Sequence, residues 1–413
     1  MKKFLSLILC AVCISSASML GIDALGEEQI LGGTVSSAGR GYAGNAKTGD
    51  AEGVSIVNPA RIAYDSKVIF NLNFLYEISS AENAGSTYTV NTLSLPSFNF
   101  SFPMGNFGAL GLSLWQRYSA NLNETYENVN SEDETKILYQ GSVYELIPSY
   151  AVRLPYLRSF SVGASAHVVI GKNEREMTFA PNNSGVDSCD YWATNESNVS
   201  DYVEGSWKIK NHLAYYTFAL QYRGRLASYF FSFTTPHTLQ NELDYNFRFS
   251  EIDTLVPTQK TREIRVPALL ATGISYRFMK RHNVMFDLQW RAWDKDVENI
   301  AGGWNMKKIT ETQNDFLVSL GYQRDGSNLF YDPFLSRMNF RLGGWMKGWY
   351  VKDVYEFGGA IGAGFPLGKK GTTIDLALQG GKRTTGSNAD WEETFLGIRL
   401  GLVGIGEWGK TGR

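Results

Sequence analysis

From Val68 to Ile78 every second residue is apolar. Val68, Phe70, Leu72, Phe74, Tyr76 and Ile78 alternate with Ile69, Asn71, Asn73, Leu75, Glu77 and Ser79. Successive side chains of a strand point to opposite faces, so this run carries one wholly apolar face. The pattern returns at Phe98–Phe102, at Val284–Trp290, at Ile374–Leu378 and at Leu396–Leu402. The opposite face decides what such strands can build. A soluble sandwich covers its outer face with Lys, Glu and Thr. Here the second face is Gly, Ser, Asn and Gln with an occasional Arg or Asp. That is the interior of a membrane barrel, with the aliphatic and aromatic face toward lipid. Backbone groups in hydrocarbon must all be paired, so the sheet has to close on itself.

Other readings of the chain fit this one. Lys2 and Lys3 precede an apolar run from Phe4 to Ile14 and then Ser15, Ser16, Ala17 and Ser18. This order reads as a secretory signal peptide over residues 1–20. Cys10 lies inside the apolar run and Cys13 follows Val12, neither suiting lipidation. Only Cys189 would remain after cleavage, so no internal disulfide is expected. No other segment reaches the roughly 18 apolar residues of a membrane helix. The formal net charge is -2, which speaks against a nucleic-acid partner. The chain has 22 Tyr, 24 Phe and 10 Trp. Many stand near predicted strand ends, among them Tyr76, Trp115, Tyr150, Trp290, Trp345 and Trp349, where an interfacial girdle would hold them.

Alternation and turn signals predict an all-β, antiparallel transmembrane barrel of about 14 strands over residues 67–413. Short connections are expected at Met104–Asn106, Pro155-Tyr156, Gly224, Lys280-Arg281 and Leu367–Gly371. These suit periplasmic hairpins. Longer polar connections, at Asn121–Thr135, Ala180–Asp201, Val297–Lys308 and Gly386–Glu393, suit extracellular loops.

Residues 21–66 do not read as strands. They hold Gly39-Arg40-Gly41-Tyr42-Ala43-Gly44, a formal G-x-G-x-x-G. A nucleotide fingerprint needs a strand before it and a helix after it, and neither pattern is present. Tight packing of a glycine-rich segment in a confined space is the alternative. Further on, Asn58-Pro59-Ala60 precedes the first strand. Later come Val266-Pro267-Ala268 leading into Gly273–Phe278, then Asp287–Trp290, Phe340–Gly343 and Phe365-Pro366-Leu367-Gly368. In this order the motifs resemble the FadL-type outer-membrane transporters of long-chain fatty acids and other hydrophobic compounds. The resemblance covers most of the mature chain. It implies that residues 21–66 plug the lumen of a 14-stranded barrel in the bacterial outer membrane. The C-terminus departs from the usual pattern, ending in Arg413 rather than an aromatic. Related barrels in the same superfamily serve protein secretion or surface attachment, and the motifs do not separate the two roles.

The resemblance makes a hydrophobic or amphipathic small molecule the expected ligand, within outer-membrane lipid and lipopolysaccharide, after insertion by the barrel-assembly machinery. A secretion partner is the alternative. Asn58, Pro59 and Ala60 are the candidates for plug gating, because Pro59 removes a backbone donor and restricts Asn58, fixing a turn. A purely structural tether is the competing reading. For a carboxylate head group the candidates are inward cations. Parity with the lipid-facing residues turns Arg277, Arg291, Arg341 and Arg399 toward the lumen. The competing reading pairs them with Asp287, Asp375 and the plug, because unpaired buried charge is costly. No cofactor or metal is expected. Glu132-Asp133-Glu134 reads as a solvated loop. The chain has four His, and of these His167 falls at an inward position, but there is no G-x-S-x-G and no H-E-x-x-H, so no enzyme is expected.

Overall fold

The computed structural model describes residues 27–30, 34–49, 53–83, 86–127, 134–180, 202–209, 215–249, 252–293, 313–327, 329, 331–350, 352–367, 372–385 and 391–406. The predicted signal peptide lies outside these residues. So do Cys189, Glu132-Asp133, most of the Ala180–Asp201 and Val297–Lys308 loops, and the C-terminus after Gly406.

Among the described residues one antiparallel sheet contains eighteen strands. The short β1 (Glu27–Glu28) belongs to the N-terminal segment. The wall begins with β2 (Val68–Asn83), β3 (Ser86–Pro103), β4 (Ala109–Glu127), β5 (Glu134–Arg153) and β6 (Phe160–Ala180). It continues with β7 (Tyr202–Ile209), β8 (Tyr215–Arg223), β9 (Ala227–Thr234), β10 (His237–Phe249), β11 (Ile252–Val266) and β12 (Leu269–Met279). It is completed by β13 (His282–Arg291), β14 (Asp315–Arg324), β15 (Asn339–Gly348), β16 (Val354–Leu367), β17 (Thr372–Thr385) and β18 (Trp391–Gly406). The last strand pairs with the first in continuous register from Trp391↔Asn83 to Gly406↔Val68, so the sheet closes. Three pairs, β7 with β8, β9 with β10 and β11 with β12, are successive parts of single staves. Both β7 and β8 pair with β6, for example. Counted as staves, the barrel has fourteen.

Two of these staves break at Thr235-Pro236 and at Pro267-Ala268. The breaks lie side by side, since Leu269 pairs with Thr234 and His237 with Val266. Proline cannot donate to the ladder, so both chains interrupt their pairing at one level. Sequence alternation reads each of these staves as one uninterrupted strand. Phe334–Arg337 forms a helical turn, α2, set up by Pro333, ahead of β15. The expected loop Asn121–Thr135 is shorter than read, because β4 runs on to Glu127 and β5 starts at Glu134.

Burial follows parity and is inverted relative to a soluble protein. Tyr76, Ile78, Phe218, Leu220, Phe286, Leu288, Leu396 and Ile398 are exposed, whereas Asn71, Asn73, Glu77, Ser79, Gln221, Asp287 and Gln379 are buried. The N-terminal segment covers several of them, with Tyr42 on Gln379, Asn45 on Asp287 and Asn58 on Gln221. That segment carries β1, a single helical turn α1 (Val35–Ala38) and a 3-10 helix (Pro59–Tyr64). Thr34 caps α1 by accepting from the Ser37 N–H at 3.0 Å. The Gly39–Gly44 run packs against the wall. Gly41 (φ 64) and Tyr42 (φ 67) both take left-handed backbone, and a Cβ on Gly41 would stand 2.4 Å from Gly344 N. The formal nucleotide motif is therefore a close-packing device here.

Candidate functional site

The contacts between the N-terminal segment and the wall form three layers. In the first, β1 adds to β4 by pairing Glu27↔Ser119 and Glu28↔Tyr118. Glu28 is buried between cations: its Oε1 lies 2.6 Å from Arg117 Nη2 and 2.8 Å from Arg291 Nη1. Lys347 Nζ donates to the Glu28 carbonyl at 3.0 Å. Arg291 also pairs with Asp315 at 3.1 Å, and the Trp293 indole donates to Asp315 at 3.2 Å. Burial alone would push the Glu28 carboxyl up. The surrounding Arg291, Arg117 and Lys347 outweigh it and hold the group at about 2.

The second layer centres on Arg40 and Tyr42. Arg40 Nη1 donates to Gln323 Oε1 at 2.6 Å, and Tyr42 OH donates to Gln379 Oε1 at 2.9 Å. Arg399 donates to both Gln379 (2.8 Å) and Tyr42 OH (3.1 Å). The Tyr42 ring meets Trp345 edge-on at 5.0 Å. Burial, with Glu77 and Glu356 added against the opposing Arg399, pushes the Tyr42 phenol up to about 12, so it stays a donor.

The third layer holds the Asn-Pro-Ala turn. Asp287 Oδ2 accepts from both the backbone and the side-chain N–H of Asn45 at 2.8 Å. Asn58 Nδ2 donates to the Asn45 carbonyl at 2.8 Å and to Gln221 Oε1 at 2.7 Å. Asn58 is the N-cap of the 3-10 helix, but its side chain caps nothing; it bridges to the wall instead. Gln221 Nε2 returns a bond to the Ala46 carbonyl, and Ser161 donates to the Ala60 carbonyl at 2.9 Å. Gly163 faces this turn so closely that a Cβ would lie 2.5 Å from Ala60 N.

Of the four arginines read as head-group ligands, three are taken up by the protein itself. Arg291 binds Glu28 and Asp315, Arg341 lies 3.2 Å from Asp375, and Arg399 binds Gln379 and Tyr42. Asp287 holds the segment's Asn45 rather than an arginine. Arg277 is apart from the others, exposed at the short-turn end. Sequence reasoning missed Glu28, Arg117, Glu145 and the cluster in which Arg383 pairs with Glu356 (2.9 Å) and Glu393 (2.6 Å). A bulge between Gln116 and Tyr118 hides Arg117, because parity fails across it. Glu145, Glu356, Arg383 and Glu393 stand at inward positions of wall strands, so the alternation itself could have flagged them, whereas Glu28 lies in the N-terminal segment, where no alternation is read.

His167 has an acid-base geometry. Its Nδ1 lies 3.0 Å from Glu145 Oε2, and its Nε2 lies 2.9 Å from Thr217 Oγ1 and 3.3 Å from Ser165 Oγ. Tyr215 donates to the same carboxylate at 2.5 Å and stacks between His167 (4.4 Å) and His237 (3.8 Å). The adjoining cavity measures about 10 Å³, room for about one water. The cavity beside Glu28 measures about 30 Å³. Apolar residues also join the segment to the wall: Ala46, Ile56 and Val57 pack with Trp115, Ile147, Phe230, Leu269 and Ala271.

A model of the family described as BamG matches residues 13–411. No curated protein matches the chain in sequence. Several solved structures share its fold. A Pseudomonas aeruginosa FadL homologue is 11% identical with a TM-score of 0.61, covering 91% of this chain and 98% of that one. The P. putida toluene transporter TodX is 12% identical with a TM-score of 0.60, covering 92% and 100%. The CymD monoaromatic hydrocarbon channel is 16% identical with a TM-score of 0.57, covering 93% and 100%.

Proposed function

Because this chain belongs to the BamG family, we propose that it works as a plugged, FadL-type barrel serving barrel assembly in the outer membrane. The barrel fold and the family place it in the bacterial outer membrane. In this reading residues 27–65 are a resident plug, and the chain is a structural component that acts through a protein partner rather than as a conduit. One observation carries it: three of the four inward arginines that could receive a head group are already taken up within the protein. Arg291, Arg341 and Arg399 face carboxylates or plug groups, and the plug-wall cavities beside His167 and Glu28 measure about 10 and 30 Å³. A site for a hydrophobic small molecule has a volume of about 300 Å³ or more, lined by apolar side chains. The family's name supports the association with barrel assembly.

A second reading is uptake of hydrophobic or amphipathic small molecules, with long-chain fatty acids as its narrowest form. The fold it shares with channels named for toluene and other monoaromatic hydrocarbons favours it. So does the apolar Ile56–Val57 contact with Trp115 and Phe230, which a moving plug would open. Net transport would then require a second plug position with a different ligand affinity.

Native purification in mild detergent, followed by mass spectrometry of both protein and lipid, separates the two. The first reading expects the barrel-assembly machinery in stoichiometric amount and no bound hydrocarbon or fatty acid. A stoichiometric apolar ligand, with no such partner, would overturn it in favour of uptake.

A further inference from the structure

At the short-turn end of the barrel, which faces the periplasm in barrels of this class, a cavity of about 410 Å³ opens beneath the plug. Five arginines line it: Arg153 at the end of β5, Arg158 in the turn that follows, Arg223 at the end of β8, Arg225 in the next turn, and Arg277 on β12. No carboxylate stands among the lining residues. Among the described residues none of these five arginines has an ion-pair partner. Lys47 of the plug adds a sixth cation at the rim, itself 3.4 Å from Asp325. This is the reverse of the lumen above, where each buried cation of the first two layers meets a carboxylate or an amide.

The plug reaches the same cavity through Tyr64, the last residue of the 3-10 helix that the Asn-Pro-Ala motif begins. The guanidinium carbons of Arg223 and Arg153 lie 5.1 and 5.8 Å from its ring centroid, and its hydroxyl donates to the Ser159 carbonyl at 2.7 Å. The two guanidiniums are thus positioned by a plug residue on one side and the barrel rim on the other.

We propose that this mouth binds a multiply charged phosphoryl anion, and that its occupancy pins the Pro59–Tyr64 turn to the barrel rim. The chemistry follows from the cation set. Guanidinium offers a planar fork of donors that matches phosphate oxygens in pairs. Forks arriving from several staves around one cavity suit a tetrahedral group with oxygens in several directions, whereas a single carboxylate presents one plane. Like charges gathered around one cavity repel one another, and a bound anion reverses the sign of that interaction. The volume accommodates a group larger than one phosphate. A soluble diphosphate and the phosphorylated headgroup of an inner-leaflet lipid both supply this chemistry.

The test uses the full mature chain in detergent, titrated with inorganic pyrophosphate by calorimetry at constant ionic strength. Saturable binding is expected, weakened at least tenfold in an Arg153→Gln/Arg223→Gln/Arg277→Gln variant. Heat-modifiable gel migration confirms that the variant is folded, and single Gln variants serve if the triple one is not. In a second arm, hydrogen exchange over residues 58–64 is compared in nanodiscs of phosphatidylcholine alone and with cardiolipin. Slower exchange with cardiolipin, lost in the variant, assigns the source to lipid. Slower exchange only on adding pyrophosphate assigns it to a soluble anion. No saturable pyrophosphate binding together with no cardiolipin effect overturns the proposal. So does binding that the substitutions leave unchanged, or a glutamate-rich peptide that outcompetes pyrophosphate at equal charge.

Discussion

Glu28 Oε1 sits 2.6 Å from Arg117 Nη2, a contact between the N-terminal segment and β4 in which both groups are buried. With Arg291 on the other side, one carboxylate holds two wall cations that are far apart in sequence. Removing one partner of such a set leaves buried charge uncompensated, at a cost of about 3–5 kcal/mol. We therefore expect Glu28→Gln to lower the opening free energy at residues 27–30, read by hydrogen exchange, by about that amount. Unchanged protection would mean that the backbone pairing of β1 alone holds the plug.

The same carboxylate sets a pH dependence. Its folded value of about 2 lies below the ordinary 4.5. Its contribution is therefore complete above roughly pH 4.5 and is lost as pH falls toward about 2. Single-barrel conductance should stay flat from about pH 7 to 5 and rise on further acidification. In Glu28→Gln the rise should be absent. A wild-type rise beginning near neutrality would point to a different group.

The Asn-Pro-Ala turn depends on the absence of a side chain at Gly163. A Cβ there would meet Ala60 N at 2.5 Å, Ala60 Cα at 2.6 Å and the Pro59 carbonyl carbon at 2.7 Å, all backbone. Gly163→Ala should displace the turn and raise conductance. Gly406→Ala, with nothing within 4 Å of the added atom, should do neither and serves as the control. Equal behaviour of the two variants would remove the steric argument.

Asn58→Ala deletes donors to the Asn45 carbonyl and to Gln221 Oε1, leaving two buried acceptors without them. Each unsatisfied group costs about 1–3 kcal/mol. Faster exchange at residues 58–64 is expected, and more so for Asn58→Asp, which adds a buried charge as well. An Asp variant as stable as wild type would argue against a bridging amide.

Deleting residues 22–58 should leave a closed fourteen-stave wall and a leaky lumen. Conductance equal to wild type would refute the plug assignment for this segment.

Period-two alternation was enough to read the closed antiparallel barrel, because lipid and lumen impose opposite chemistry on successive residues. It also turned Arg291, Arg341 and Arg399 inward. What it could not supply was their partners. Arg291 meets Glu28 across 263 residues of chain, and Arg399 meets Tyr42 across 357. Arg117 was hidden by its bulge, and the paired breaks at Pro236 and Pro267 became visible only when the staves lay side by side.

Sequence by itself therefore determined the wall, since facing is a local property with a fixed period. Tertiary structure decided what the lumen does. An inward arginine becomes a structural ion pair where a carboxylate of the N-terminal segment lies within 3 Å, as Glu28 does for Arg291. Arg277 has the inward parity of the other three, yet stands at a mouth lined by cations instead of in a neutralised core. Distance between charges brought together by closure, which no local pattern records, makes that difference.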